Sequence, residues 1–190
     1  MLGIGFFAAS ASGGGAGVPA YEHIATAYGA SASTISFSSI PQTYKHLQIR
    51  AVAVSTRSDS QSSGFKIRFN GDSTSTYNTH YLEGFNAGGS LSSGSWTDTT
   101  GLWGAYINTI YNSGTNLTAP SIIDILDYRG TKNKTTRNFS GVIRPDAYDR
   151  VTFSSGLWPS TAAITSISIH ESVGEGFVST SRFSLYGIKG

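Results

Sequence analysis

The sequence predicts an all-β protein: a single antiparallel β-sandwich of jelly-roll type with an extended apolar N-terminal arm, a barrel being the second choice. Three observations predict it. Apolar residues recur at period two in short runs, as in Phe65, Ile67 and Phe69 against Lys66, Arg68 and Asn70, which puts one face of such a run in a core and the other in water. Turn residues, chiefly Gly, Asn and Pro, separate about ten of these runs at short spacing. No window sustains the i, i+3, i+4, i+7 stripe over three turns that an amphipathic helix needs.

The chain has 190 residues, enough for one substantial core and too few for two typical domains and a linker. Residues 1–20 are expected to form the arm and 21–190 the sandwich. Met1 to Ala9 is an apolar run, followed by a tether containing Gly13, Gly14, Gly15 and Gly17. Ala9-Ser10-Ala11 fits a signal-peptide cleavage pattern, but no Lys or Arg precedes the run. It is also far shorter than the roughly 20 residues that cross a bilayer, so no membrane insertion is expected. Leu2, Ile4, Phe6 and Phe7 are the candidate attachment residues, because such a cluster is an aggregation liability unless a partner covers it.

From there the runs follow in order. Tyr21 to Tyr28 and Thr34 to Ile40 are β-rich. In Tyr44 to Ser55, Leu47, Ile49 and Ala51 alternate before Val52 and Val54 take the other parity, which implies a bulge or burial on both faces. Ser55 to Gly64 has no apolar residue and reads as a loop. Phe65 to Phe69 is a strand, and Asn70-Gly71 a tight turn. Tyr77 to Phe85 resumes the β pattern, and Asn86 to Ser95 reads as a Gly/Ser-rich loop. Trp103 to Tyr111, Ser121 to Tyr128, Thr135 to Ile143 and Arg150 to Leu157 complete the middle. Ile164, Ile167 and Ile169, then Phe183, Leu185, Tyr186 and Ile188, read as a closing pair of strands, the second buried on both faces and central in a sheet.

Composition narrows the function. Charged residues are 13% of the chain, against about 25% in an average soluble domain. Ser, Thr and 23 Gly fill the gap, while 10 Phe, 10 Tyr and 3 Trp supply apolar area. Such a surface suits an extracellular, lectin-like or viral structural protein. A net charge of +2 is no nucleic-acid footprint. The chain has no cysteine, which removes disulfides, thiolate catalysis and thiolate metal sites.

No catalytic residue, metal or cofactor is expected. His23, His46, His80 and His170 have no partners at ligand spacing. Asp124 and Asp127 are an odd number apart in a strand, hence on opposite faces, which is unsuited to a paired-carboxylate glycosidase. No nucleophile elbow, phosphate-binding loop or dinucleotide fingerprint occurs. The basic group Arg129, Lys132, Lys134 and Arg137 spans a hairpin and gathers at one tip, where Arg129, Lys132 and Lys134 are candidate contacts for phosphate or an acidic glycan. Of Trp96, Trp103 and Trp158, which have rings able to stack on sugars, Trp158 reads as core and Trp96 as the ligand candidate.

Four segments taken together, Tyr44 to Arg50, Ser121 to Tyr128, Gly156 to Ile167 and Arg182 to Gly190, resemble a family of small structural proteins of tailed, cyanophage-like bacteriophages. The Met1-Leu2-Gly3 start is similar to the N-terminal peptides that attach phage appendages to the particle. The resemblance implies a non-enzymatic virion protein, often a homotrimer, held by its arm to tail, baseplate or major capsid protein. It favours a tail-fibre or appendage protein facing a host-surface glycan. Capsid decoration is the alternative, with a secreted lectin or a depolymerase behind it. No heptad stalk of an extended fibre is present.

Overall fold

Alternation along the chain becomes strand pairing in the computed structural model, which describes residues 19–60, 62–85, 89–113, 118–144 and 149–190. The arm residues Leu2, Ile4, Phe6 and Phe7 lie outside the described residues. Twelve strands run in chain order among those described: β1 (Tyr21–Tyr28), β2 (Thr34–Phe37), β3 (His46–Ser55), β4 (Ser62–Phe69), β5 (Tyr77–Phe85), β6 (Ser90–Asp98), β7 (Leu102–Thr109), β8 (Ala119–Leu126), β9 (Lys134–Val142), β10 (Arg150–Trp158), β11 (Ile167–Glu171) and β12 (Arg182–Ile188). One helical turn, α1 (Ile110–Ser113), follows β7. The protein is all-β, as its periodicity predicts.

The strands form one hydrogen-bonded sheet with two arms. Eight strands pair antiparallel in the order β1-β12-β3-β8-β9-β10-β5-β6. Four more pair antiparallel as β2-β11-β4-β7. A short parallel contact, Val54 with Asn108 and Ser55 with Thr109, joins β3 to β7. Asn138 on β9 donates from Nδ2 to the carbonyls of Trp103 (2.9 Å) and Gly104 (3.3 Å) on β7. Because β3 and β8 stand between β7 and β9 in the pairing order, the sheet doubles back and lays β7 over β9.

The core fills the space between the arms. Phe183 meets Phe65 and Phe177 edge-on at 5.8 and 4.9 Å. Trp158 is buried beside Phe69 and Tyr77, and its indole donates to Asp72 at 2.8 Å. Trp158 is therefore core, with its one polar atom satisfied, as buried indoles require. At the end of β3, Ala53, Val54 and Ser55 are all fully buried, so the parity change there reflects burial on both faces where β7 joins.

Three expectations are corrected. Ser90 to Ser95 is not loop but most of β6, a nine-residue strand paired along its length with β5; residues 86–88 lie outside the described residues. Ser55 and Ser63, read as loop for want of apolar residues, are buried strand residues whose hydroxyls both donate to the buried Glu171. The last two strands do not pair with each other: β11 inserts between β2 and β4, whereas β12 inserts between β1 and β3. Each sits between two neighbours, so the central place read for β12 holds.

Candidate functional site

The β5-β6 hairpin ends the eight-stranded arm, and its inward face meets the outward face of β7. Between them lies a groove of about 360 Å³ lined by Lys66, Tyr77, Thr79, Trp96, Thr97, Asp98, Gly101, Trp103 and Tyr106. That volume is within the range of small-molecule sites.

Aromatic rings form a continuous ladder through it. Tyr81 stacks on Trp96 with centroids 4.2 Å apart and planes 17° from parallel. Trp96 meets Trp103 at 5.5 Å, and Trp103 meets Tyr106 at 4.9 Å. The Arg150 guanidinium closes the ladder 3.9 Å from the Tyr106 ring, and its Nη1 is 3.5 Å from the Glu83 carboxylate. Burial pushes the Tyr106 hydroxyl pKa up against the opposing pull of Arg150.

Local irregularities aim these rings. Trp103 and Tyr106 are three apart and would face opposite ways in a regular strand. The pairing of β4 with β7 slips at Phe65/Lys66, where Gly104 is the extra residue, and this bulge puts both rings on one face. A side chain at Gly64 would run into the Trp103 ring, and one at Gly94 into the Tyr81 ring. Glycine at these two positions lets the aromatics lie flat on the neighbouring backbone.

The polar groups hold one end. Lys66 Nζ donates to Asp98 Oδ2 at 2.6 Å and to Thr100 Oγ1 at 3.0 Å. Thr100 donates to Asp98 Oδ1 from its amide and hydroxyl, both at 2.6 Å. Burial pulls the Asp98 carboxyl up, but the hydrogen bonds from Lys66 and Thr100 outweigh it and keep its pKa below the ordinary value. The backbone amide of Trp103 donates to Thr79 Oγ1 at 3.3 Å, tying β7 to β5. The Trp103 Nε1 donor is buried with no hydrogen-bond partner among the described residues.

Trp96 is thus brought into a site, on a strand and not a loop, and Trp103 joins it. Sequence reading put Trp103 among the stacking rings but did not carry it forward, and it missed Tyr81, Tyr106, Lys66 and Asp98. The spacing of Trp96, Trp103 and Tyr106 was visible; the bulge that unites them was not.

The basic tip is only partly as expected. Arg129 and Lys132 are exposed and line a cleft of about 390 Å³ with Lys45 and Asp127. Arg129 Nη1 donates to the Gln42 carbonyl at 3.2 Å. Lys134 is buried, and its ammonium donates to the carbonyls of Gly130 (2.7 Å), Lys132 (2.6 Å) and Ser160 (3.5 Å). It holds the turn together and offers nothing to a ligand; burial lowers its pKa. Arg137 stands away from the tip, paired at 2.8 Å with Asp124 on the open face of the sheet. Among the described residues no group of three or more His, Cys, Asp or Glu is placed to hold a metal ion, and no helix is long and apolar enough to cross a membrane.

Compared with known proteins, the chain matches no family model, and no curated sequence is similar to it.

Proposed function

We propose that this chain is a non-enzymatic recognition protein that seats a saccharide ring in the groove lined by Trp96, Thr97, Asp98 and Trp103. The observation that carries the reading is the aromatic ladder along a groove that has Lys66 and Asp98 at one end. An apolar sugar face covers a partly exposed aromatic ring such as that of Trp96. Asp98 and Lys66, already bonded to each other, offer further polar contacts at the groove's end.

The resemblance extends the proposal. On it, the protein is a virion component of a tailed bacteriophage, an appendage or tail-fibre protein whose groove faces a host-surface glycan. Its N-terminal arm anchors it to tail or baseplate protein, or to the major capsid protein if the particle carries it as a decoration protein. Homotrimer formation belongs to the same proposal.

Titrating host polysaccharide into the protein while following tryptophan fluorescence tests the groove. A saturable change that disappears in Trp96→Ala is expected. Unchanged affinity in that variant overturns the assignment. Labelling intact particles distinguishes tail from head.

A further inference from the structure

The groove has a neighbour. A second cavity of about 310 Å³ shares Lys66, Trp103 and Tyr106 with it and adds Arg57, Ser63, Ser172 and Val173. The two therefore adjoin along one row of side chains, and each alone is within the size range of a small-ligand site. Ser172 and Val173 stand in the turn after β11, where the Ser172 amide donates to the Gly64 carbonyl at 2.9 Å and the Gly64 amide to Ser172 Oγ at 3.2 Å. These bonds fix the turn against β4, beside the glycine on which the Trp103 ring lies. Val173 is 54% exposed, an apolar patch next to hydroxyls.

Charge is matched in both cavities. Lys66 is held by Asp98 at 2.6 Å and Arg57 by Asp59 at 2.6 Å, so each cation in the lining already has a carboxylate. Ser63 donates its proton to the buried Glu171, which leaves its oxygen as an acceptor. Arg68, two residues on from Lys66, lines neither cavity and donates to the Thr100 carbonyl from Nε at 3.1 Å and from Nη2 at 2.8 Å. The basic tip is different, since Lys45, Arg129 and Lys132 outnumber Asp127 there. An anion entering the joined cavities has to displace a carboxylate or lie against one, at the cost of a poorly matched, partly desolvated charge. A sugar hydroxyl both donates and accepts, which suits a matched pair of cation and carboxylate.

We propose that the groove and this cavity together form one extended site for an uncharged oligosaccharide, with one unit against Trp96 and another against Val173. The proposal rests on the saccharide reading of the groove and adds to it the length and the charge of the ligand.

An array of immobilised neutral and uronic-acid-bearing oligosaccharides of increasing length, probed with the full chain, tests it. Neutral chains are expected to be retained, undiminished when ionic strength is raised. Fluorescence titration should then show the retained chain binding at least about tenfold more tightly than its monosaccharide, the worth of one added charge-assisted hydrogen bond. Val173→Trp, which fills the second cavity from an exposed position, and separately Arg57→Ala are expected to remove that gain while monosaccharide binding stays; Trp96→Ala removes both. Two variants are used so that misfolding in one, seen by far-UV circular dichroism, leaves the other as the test. A monosaccharide that binds as tightly as the chain overturns the extended site and leaves the groove reading standing, as does a gain that survives in the folded variants. Preference for the acidic chains, lost at high ionic strength, overturns the assignment of charge. No retention of any oligosaccharide overturns the groove reading and the extended site together.

Discussion

Trp96 belongs to the site and to the fold at once, because one face of its indole lies on Tyr81. Each aromatic pair contributes about 0.5–1.5 kcal/mol beyond area burial. Trp96→Ala removes two such pairs and should lower the melting temperature by several degrees at about 2–4 °C per kcal/mol, while abolishing glycan binding; Trp96→Phe should restore part of both. Glu171 is more strictly structural. It accepts from Ser55, Ser63 and the amides of Val173 (2.9 Å) and Glu175 (3.0 Å). Glu171→Ala strands these donors, at about 1–3 kcal/mol for each that stays buried and unpaired, and urea denaturation should show a loss of more than about 2 kcal/mol. Asp72 links stability to pH. Hydrogen bonds from Ser75, Thr74 and the Trp158 indole hold its carboxyl far below its ordinary range. A carboxyl depressed in the folded state contributes stability that is complete above its unfolded pKa, about 3.9, and is lost as pH falls below it. Urea midpoints should therefore drop below about pH 4, with a shallower slope in Asp72→Asn.

Glycine decides geometry at the level of single elements. Gly94 on β6 leaves room for the Tyr81 ring, so Gly94→Val should lift that ring from Trp96. Near-UV circular dichroism is expected to change, with the far-UV spectrum preserved. The same strand shows what could be read beforehand. Most strands were legible because their inner face is apolar and their outer face polar, as in Phe65 to Phe69. In β6 that contrast is missing: Ser90 to Ser95 has Leu91 on the open face and Ser92 and Gly94 on the groove side, so composition read as loop. Ser55 and Ser63 misled for the opposite reason, since their buried hydroxyls answer to Glu171, 108 or more residues away. The groove was half legible. Its rings were in plain view, but the bulge at Gly104 depends on how β4 registers on β7, and no single-strand pattern contains that. Lys134 shows the same limit, since three backbone carbonyls from the turn and from Ser160 enclose a lysine that sequence placed at an exposed tip.

Across the whole molecule, the partition of the last two strands matters most. β11 completes the four-stranded arm and β12 the eight-stranded one, so the C-terminal stretch fastens both arms of the sheet.

The strand β3 has another consequence, for the order in which the chain acquires structure. Its two antiparallel neighbours are β8 and β12, and β12 spans Arg182–Ile188. One edge of β3 therefore stays unpaired until those residues have been made, however early β3 itself leaves the ribosome. Pairings so distant along the chain close large loops, which places folding in the slow range of milliseconds to seconds typical of β proteins. During synthesis Leu47, Ile49 and Ala51, later sealed in the core, must wait beside an open strand edge, the condition in which nascent β chains are most prone to aggregate.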